Sequence, residues 1–414
     1  MGERMSAIRT LQKYIRINTV TSSAHKGGYA EAARFLIRNY GHTGCEVKEE
    51  SLTAGRPHVV FTYKGTSPHK KSVMLYSHTD VVPAPPEEWK YPPFSAHIDE
   101  EGTIFGRGVQ DMKSVGIQHM EAMKELVKEG VTLDRTVHVV FMPDEENGGD
   151  FGMKLFVQKG KLKELNPAVV LDEGLASTTP VFHAYYAERT PLWVKLTAAG
   201  PSGHGSRLLE GTAMERMMKV MCHLYSFRSE EEQRMISEEL HESEITSVNC
   251  TVLRGGAESG GEVAVNLIPS TVEAHVDMRV AVDRDLLSFR DEIKKLADQH
   301  GVKMEVTLGP DQHSITSTHN EWWAAFEQAA ERAKIEIKPL VFAAATDSKH
   351  IRRTGVPSIG FSPISNTKVE LHSANESLHR DVFQRGIEIY KAVITHLANH
   401  KDAEEVERAE AGYT

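Results

Sequence analysis

The sequence predicts an α/β protein in which a mostly parallel-sheet domain is interrupted by an inserted ferredoxin-like α+β domain. In roughly the first 185 residues, helical periodicity alternates with short β-branched apolar runs, as in a sheet flanked by helices. After Arg189 the order of elements becomes β-α-β-β-α-β, which is the order of a ferredoxin-like unit. From about Asn320 the strand–helix alternation resumes. A first domain interrupted by a second is the simplest interpretation.

The elements of the first domain follow from the spacing of apolar residues. The sequence predicts helices at Ala30–Tyr40 and Met112–Glu129, and strands at Ser72–Tyr76, Thr136–Met142 and Ala168–Leu171. After the insertion it predicts a helix at Trp322–Lys334, a strand at Pro357–Phe361 and a last helix at Asp381–Asn399. The helix from Met112 is expected to stop at Gly130, a residue that commonly follows a helix end.

The inserted domain is predicted from alternating and helical patterns between residues 189 and 311. Its expected strands are Leu192–Ala198, Ser247–Leu253, Val272–Val282 and Val302–Leu308, and its expected helices are Gly211–Arg228 and Leu286–His300. We therefore predict a discontinuous catalytic domain, residues 1–188 and 312–414, and an inserted dimerisation or lid domain, residues 189–311.

Composition excludes several classes of protein. The 414 residues carry 48 basic and 58 acidic side chains, a formal net charge of −10, and no basic stripe, so a nucleic-acid partner is not expected. The longest apolar runs fall far short of the roughly 20 residues that cross a bilayer, so no membrane partner is expected either. The N-terminus lacks a secretory h-region and the three cysteines are odd in number, which favours a cytoplasmic protein.

Polar clusters follow the predicted strands of the first domain. They are Ser77-His78-Thr79-Asp80, Asp144-Glu145-Glu146 and Asp172-Glu173-Gly174, with Asp111 placed between a glycine turn and a helix. Ligands of open α/β sheets bind outside the carboxyl ends of the strands, so these clusters should converge. Taken singly, each has a bland interpretation: Asp111 is a natural helix N-cap, and adjacent acids such as Glu145 and Glu146 are usually solvated.

Together, the clusters suit a pair of divalent ions. Imidazole and carboxylate are zinc ligands, and a bridging carboxylate can hold two ions about 3.5–4 Å apart. His78, Asp111, Glu146, Glu173 and a distant histidine would supply such a set. Glu145 would be an additional carboxylate, free to take a proton from bound water. Asp80 is placed to accept the other ring N–H of His78 and to fix its tautomer.

These motifs resemble those of the M20 metallopeptidases. The supporting stretches are Ser77–Pro83, Gly106-Arg107-Gly108 with Gln110–Lys113, Pro143–Glu146, Leu171–Gly174, Tyr186–Arg189, Gly203–Arg207, Ala345-Thr346-Asp347 and Gly360–Pro363. The resemblance runs in consistent order from about residue 10 to residue 395. Within that clan the sequence is most similar to the hydrolases of N-acyl-amino acids.

The resemblance implies a ligand set for two Zn²⁺ ions per subunit. His78, Asp111 and Glu173 would bind one ion, while Asp111, Glu146 and His372 would bind the other, with Asp111 bridging. Glu145 would be the general base that deprotonates the bridging water and then protonates the leaving amine. A cis peptide bond after Asp111 is also implied.

The resemblance further implies a homodimer. His204, in Gly203-His204-Gly205, would reach into the partner's site and stabilise the oxyanion, although a plain turn histidine is the alternative interpretation. Asn266, Arg279 and Arg352 would contact the substrate, because an arginine fork suits a free α-carboxylate.

The expected function is zinc-dependent hydrolysis of small N-acyl-L-amino acids, with short acyl groups and neutral side chains, to a carboxylate and a free amino acid. An M20 dipeptidase or carboxypeptidase is the first alternative. A catalytically silent binding protein is the second, but such a protein should lack a ligand or the base, and the sequence keeps all of them.

Overall fold

The computed structural model describes residues 2–21, 27–256, 258–259, 262–310 and 312–402. The chain divides into two compact units. The first unit consists of Met1–Tyr186, Thr316–Leu340 and Thr346–Thr414, and the second of Ala187–Ile315 and Val341–Ala345. Residues 403–414, which the sequence assigns to the first domain, lie outside the described residues.

Nineteen strands and ten helices are described. The strands are β1 (Glu46–Thr53), β2 (Arg56–Tyr63), β3 (Ser72–His78), β4 (His97–Ile98), β5 (Thr103–Phe105), β6 (Val137–Met142), β7 (Pro167–Asp172), β8 (Phe182–Glu188), β9 (Thr190–Ala199), β10 (Gly203–His204), β11 (Ser247–Gly255), β12 (Glu258–Ser259), β13 (Glu262–Val263), β14 (Leu267–Ile268), β15 (Thr271–Val280), β16 (Val302–Leu308), β17 (Ile337–Phe342), β18 (Ser358–Gly360) and β19 (Ser377–His379). The helices are α1 (Gly2–Ile15), α2 (Gly28–Tyr40), α3 (Lys113–Lys128), α4 (Met153–Gln158), α5 (Lys161–Leu165), α6 (Ala213–Ser237), α7 (Leu286–Gln299), α8 (Glu321–Arg332), α9 (Ser348–Arg352) and α10 (Arg380–Ala398).

An eight-stranded sheet in the order β1-β2-β6-β3-β7-β18-β8-β17 forms the first layer. Its centre, β6-β3-β7-β18, is parallel, whereas β1, β2 and β8 pair antiparallel with their neighbours. Every residue of β3, β6 and β7 is buried, which explains their continuous apolar runs. The predicted fold class is confirmed. The hairpin of β1 and β2 was not predicted, because the side chains of β1 are mostly polar and partly exposed.

Helix α3 lies unusually close to the central strands. A Cβ atom at Gly116 would lie 2.6 Å from both the Phe141 ring and the Ser77 hydroxyl, so only glycine permits this approach. On its other side α3 packs against α10 and α1. The close approach brings the start of α3, and with it Asp111, next to the ends of β3 and β6.

The second unit has its own core under a four-stranded sheet. The strand order β11-β15-β9-β16 with antiparallel pairing is that of a ferredoxin-like unit, which confirms the predicted insertion type. Helices α6 and α7 contribute Met217, Leu224, Phe289 and Ile293 to this core. Helix α6 begins at a Thr212 cap and continues to Ser237, past the predicted end at Arg228, through a charged segment that its solvent-facing side accommodates.

No helix among the described residues combines the length and the apolar character needed to cross a membrane.

Candidate metal centre

The five predicted metal ligands meet in the first unit. His78 ends β3, Glu146 lies in a short 3-10 turn after β6, and Glu173 follows β7 directly. Asp111 precedes α3, and His372 lies in the loop before β19. The carboxyl ends of three adjacent parallel strands therefore supply three of the side chains, as expected for an open α/β sheet.

Asp111 lies between the two histidines. Its Oδ1 atom is 2.9 Å from Nε2 of His78, and its Oδ2 atom is 3.2 Å from Nε2 of His372. Glu173 is 3.6 Å from Nε2 of His78, and Glu146 is 3.0 Å from Nε2 of His372. One carboxylate thus faces two separate groups, each made of one imidazole and one further carboxylate.

The spacing of these atoms fits divalent cations. For tetrahedral zinc with bonds of about 2.0–2.1 Å, two ligand atoms lie roughly 3.3 Å apart, close to the four separations at this site. The ligand atoms of His78, Asp111 and Glu146 all lie within 4.8 Å of one another, as do those of His78, Glu145 and Glu173. Two imidazoles with three carboxylates form a nitrogen–oxygen set typical of zinc and similar ions.

The protein alone does not balance the charge at this site. Burial and the charge of Asp111 raise the pKa of Glu173 well above its usual range, with His78 opposing. Burial would lower the pKa of His78, but Glu173 and Asp111 raise it far above normal. Hydrogen bonds to Asp111 and Glu146 raise the pKa of His372 to about 10. The three carboxylates therefore outnumber the two imidazoles that could balance their negative charge, and bound cations would supply the missing positive charge.

Glu145 and Asp80 lie beside the ligands and are buried. Burial, with the nearby charge of Glu173, raises the pKa of Glu145 well above its usual range. Asp80 differs from the prediction, because Nδ1 of His78 is 3.0 Å from the main-chain carbonyl of Asp80 and 3.7 Å from its carboxylate. That carboxylate accepts the backbone N–H groups of Glu145 and Glu146, at 3.2 and 3.1 Å, so it orients the turn that carries both acids.

His204 and Asn266 lie next to each other in the second unit. His204 pairs with Leu267 in the ladder of β10 and β14, and the carbonyl of Asn266 accepts the N–H of Gly205 at 2.6 Å. Nδ1 of His204 accepts the backbone N–H of Ser206 at 3.2 Å. Among the described residues Nε2 has no partner, so the ring presents this nitrogen to solvent.

The two predicted substrate arginines have different surroundings. Arg279, near the end of β15, holds Asp277 through two hydrogen bonds of 2.9 and 3.1 Å and is partly exposed. Arg352 is buried, and its guanidinium donates to the carbonyls of Ser358 and Tyr185. Arg352 therefore contacts the backbone around β18, and its contact with the substrate stays a prediction.

Beside the site lie two buried hydrogen-bond networks that the sequence did not predict. The hydroxyl of Ser348 donates to Asp172 at 2.6 Å, and Asp172 in turn accepts the N–H of Glu173 at 2.7 Å. The hydroxyl of Tyr76 donates to Asp347. Burial raises the pKa of Asp347 to about 7. Ala345-Thr346-Asp347 is one of the stretches that carry the resemblance, but the sequence did not indicate which contacts Asp347 makes.

The peptide bond between Asp111 and Met112 is cis, as the resemblance implied.

Comparison with known proteins places this site in a family. Residues 74–396 match peptidase family M20/M25/M40. Aminoacylase-1 of Mus musculus is 41% identical over 398 residues, covering 95% of each chain, and that of Homo sapiens is 40% identical over 402 residues, covering 96% of each. An M20 family metallo-carboxypeptidase from Sulfolobus solfataricus has a similar fold, with a TM-score of 0.69 and 19% identity over 95% of this chain and 99% of that one.

Fold and site together define a hydrolase of the metallopeptidase type. The chain belongs to peptidase family M20/M25/M40.

From the geometry of the site we predict that divalent ions bound by Asp111 stabilise the folded protein. We expect zinc added to chelator-treated protein to raise the midpoint of thermal unfolding, since a ligand at 100 times its Kd contributes about 2.7 kcal/mol. Asp111→Asn should lose most of this rise. Glu231→Gln should keep it, because Glu231 is an equally buried acid that contacts Thr246 and Arg284 of the second unit. Equal rises in wild type and Asp111→Asn would show that the ions bind elsewhere.

Proposed function

We propose that this chain is a zinc-dependent aminoacylase, which hydrolyses N-acyl-L-amino acids to a carboxylate and a free L-amino acid. The observation that carries the proposal is Asp111 placed between two imidazole–carboxylate groups, with Glu145 beside them. Aminoacylase-1 relatives at about 40% identity over nearly the whole chain support the substrate class. Short acyl groups and neutral side chains are our proposal for the preferred substrates.

Two zinc ions per subunit would be held by the five ligands. His78 and Glu173 would hold one, Glu146 and His372 the other, and Asp111 would belong to both. When bound, the ions supply Lewis acidity toward the amide carbonyl and lower the pKa of water at the site. Since they also favour ionised carboxylates nearby, they would keep Glu145 in the form that accepts a proton.

Glu145 would carry the proton through the reaction. Its carboxylate takes a proton from the attacking water as the water oxygen bonds to the amide carbon. It then donates that proton to the amide nitrogen as the C–N bond breaks, which releases the free amine and a carboxylic acid that loses its remaining proton to become the carboxylate. Asp80 would act on this step only through the backbone, because it holds the N–H groups of Glu145 and Glu146.

His204 is suited to stabilise the oxyanion. Because Nδ1 accepts the N–H of Ser206, Nε2 is the ring nitrogen left to donate, and it has no partner among the residues that the structure describes. A neutral imidazole N–H aimed at a developing negative charge is a donor of the oxyanion-hole type. Asn266, beside His204, would add a polar contact to the same substrate.

Arg279 would bind the α-carboxylate of the substrate. Its guanidinium is already oriented by Asp277 and still partly exposed, so a second carboxylate can approach its free face.

The length of β15 supports a homodimeric site. Arg279 and Thr271 are separated by eight residues of strand, or roughly 26 Å at about 3.3 Å per residue. Asn266 and His204 lie beyond the Thr271 end, because Thr271 pairs with Ala199 and Ile268 pairs with Gly203. The segment that carries His204 and Asn266 is therefore connected to the end of β15 opposite Arg279, an arrangement that favours a site in which His204 and Arg279 come from different subunits.

Helix α6 offers a face for the second copy. Met214, Met218 and Tyr225 are 37–43% exposed and recur at helical spacing along one side. The Tyr225 hydroxyl accepts the N–H of Cys250 on β11, an edge strand of the sheet, at 3.4 Å. An apolar row next to an open strand edge is a surface that a symmetric dimer can cover.

A cytoplasmic location completes the proposal. Cys45, Cys222 and Cys250 are all free thiols, as expected in a reducing compartment.

The first test concerns Glu145. Glu145→Gln should lower kcat on N-acetyl-methionine by about 10²–10⁴-fold, because it keeps the shape of the side chain but cannot accept the proton. Zinc content, measured by atomic emission, should stay at the wild-type value. Glu121→Gln is the matched control: Glu121 is a buried acid of the same unit that pairs with Tyr40 and Lys124, and its loss should leave kcat nearly unchanged.

Near-normal turnover by zinc-loaded Glu145→Gln would contradict the mechanism. Faster cleavage of Ala-Met than of N-acetyl-methionine by wild type would make the enzyme a dipeptidase.

The second test concerns sharing of the site between subunits. His204→Ala and Glu145→Gln should each be nearly inactive, yet a mixture that exchanges subunits should recover activity. Random exchange makes half of the dimers hybrid with one intact site each, so about one quarter of wild-type activity is expected. Activity that stays at the level of the separate variants, with exchange verified by mass spectrometry, would exclude a shared site.

A further inference from the structure

A buried carboxylate outside the ligand set binds the loop that carries Asp111. Glu376 lies just before β19 and is fully buried. Its Oε1 atom accepts the backbone N–H groups of Gln110 at 2.6 Å and Asp111 at 3.2 Å. Its Oε2 atom accepts the N–H of Gly108 at 2.9 Å. One side chain therefore fixes three peptide groups immediately before the bridging residue.

Arg107 extends this contact to the other loop. Its Nη1 atom donates to Oε2 of Glu376 at 2.7 Å, and its Nη2 atom donates to the carbonyl of His372 at 3.1 Å. Arg107 is 2% exposed, and its guanidinium lies over the Trp89 ring, 5.2 Å from the ring centroid. His372 has φ = +59°, an uncommon conformation for a residue with a Cβ atom, so its backbone needs such support.

We propose that the Glu376–Arg107 ion pair is a positioning element that sets Asp111 and His372 at the separation two cations require. Glu376 and Arg107 would touch neither the ions nor the substrate. They act through the backbone of one loop and the carbonyl of the other. The inference rests on the proposed function, in which Asp111 and His372 are metal ligands.

Other contacts also join the two loops, among them the N–H of Gly106 donating to the carbonyl of Glu376 at 3.0 Å and Nε2 of Gln110 donating to the carbonyl of Lys368 at 2.9 Å. The loops are separated by more than 260 residues in sequence, and β5 and β19 join them through only three residue pairs. Gln110 adds side-chain contacts to the carbonyl of Ser377 and the N–H of Glu370, at 2.8 and 3.1 Å. Among the described residues, the ion pair is the connection that leads from the N–H of Asp111 to the carbonyl of His372. Without it, cation binding itself would have to fix these two peptide groups, and affinity would fall.

A purely structural ion pair would behave differently. Loss of such a pair lowers the free energy of unfolding but leaves the affinity of the folded site for cations unchanged. Changes in residues that orient metal ligands typically cost about 10–100-fold in metal affinity. The affinity of the folded protein for cations therefore separates the two roles.

The experiment compares three variants of the full chain by competition with a chromophoric zinc chelator. In Glu376→Gln the amide NH₂ faces N–H donors, so we expect affinity for zinc to fall about 10–100-fold. Arg107→Lys keeps the positive charge but cannot reach both Glu376 and His372, so we expect a loss at one of the two zinc sites. Glu121→Gln should bind zinc within twofold of wild type. Cobalt absorption spectra should change in the first two variants only.

Each outcome has one meaning. Wild-type zinc affinity and cobalt spectrum in folded Glu376→Gln would overturn the positioning role. Should Glu376→Gln fail to fold, Arg107→Lys decides, and unchanged affinity at both sites would overturn the proposal. A wild-type protein that binds fewer than two ions would instead refute the proposed function, whatever the variants do.

Discussion

The shared carboxylate of Asp111 is the interaction on which the catalytic unit depends. Its two oxygens face two histidines at 2.9 and 3.2 Å, so one short side chain serves both halves of the centre. The sheet supplies the surrounding acids from adjacent strand ends, and the close approach of α3 at Gly116 brings Asp111 to them. Asp80 and Glu376 hold the backbones of the two segments that bear Glu145, Glu146 and Asp111.

Burying several acids side by side is energetically unfavourable, and the contacts of these acids within the protein do not fully offset it. The site residues Asp80, Asp111, Glu145 and Glu173 are all buried, with His78 as the one buried imidazole among them. An unpaired buried charge is unfavourable by several kcal/mol or more, and such groups shift their pKa values instead. The raised pKa values of Glu145 and Glu173 are that response. Divalent cations would remove the cause, which explains why stability and metal binding should be linked.

Much of this architecture follows from the sequence because its physical causes are local. The apolar runs of β3, β6 and β7 and the periodicity of α3 locate the strand ends, and these ends locate His78, Asp111, Glu146 and Glu173. Contacts between distant segments do not follow in this way. The main-chain carbonyl of Asp80 lies closer to Nδ1 of His78 than the Asp80 carboxylate does. The guanidinium of Arg352 donates hydrogen bonds to main-chain carbonyls.

The same limit applies to Glu376. A glutamate that follows an asparagine in a loop resembles a solvated residue, and only the fold reveals that it accepts three backbone N–H groups 265 to 268 residues away. The connection of His204 to one end of β15 and the position of Arg279 near the other end likewise follow from strand pairing, not from either residue alone.

X-ray absorption at the zinc edge, combined with metal analysis of the purified protein, tests whether Asp111 is shared by two metal ions. We expect two zinc ions per chain with nitrogen and oxygen ligands, and scattering from a second metal at about 3.5–4 Å, as a bridging carboxylate requires. A single zinc per chain, or two ions without metal–metal scattering, would contradict a centre built around Asp111.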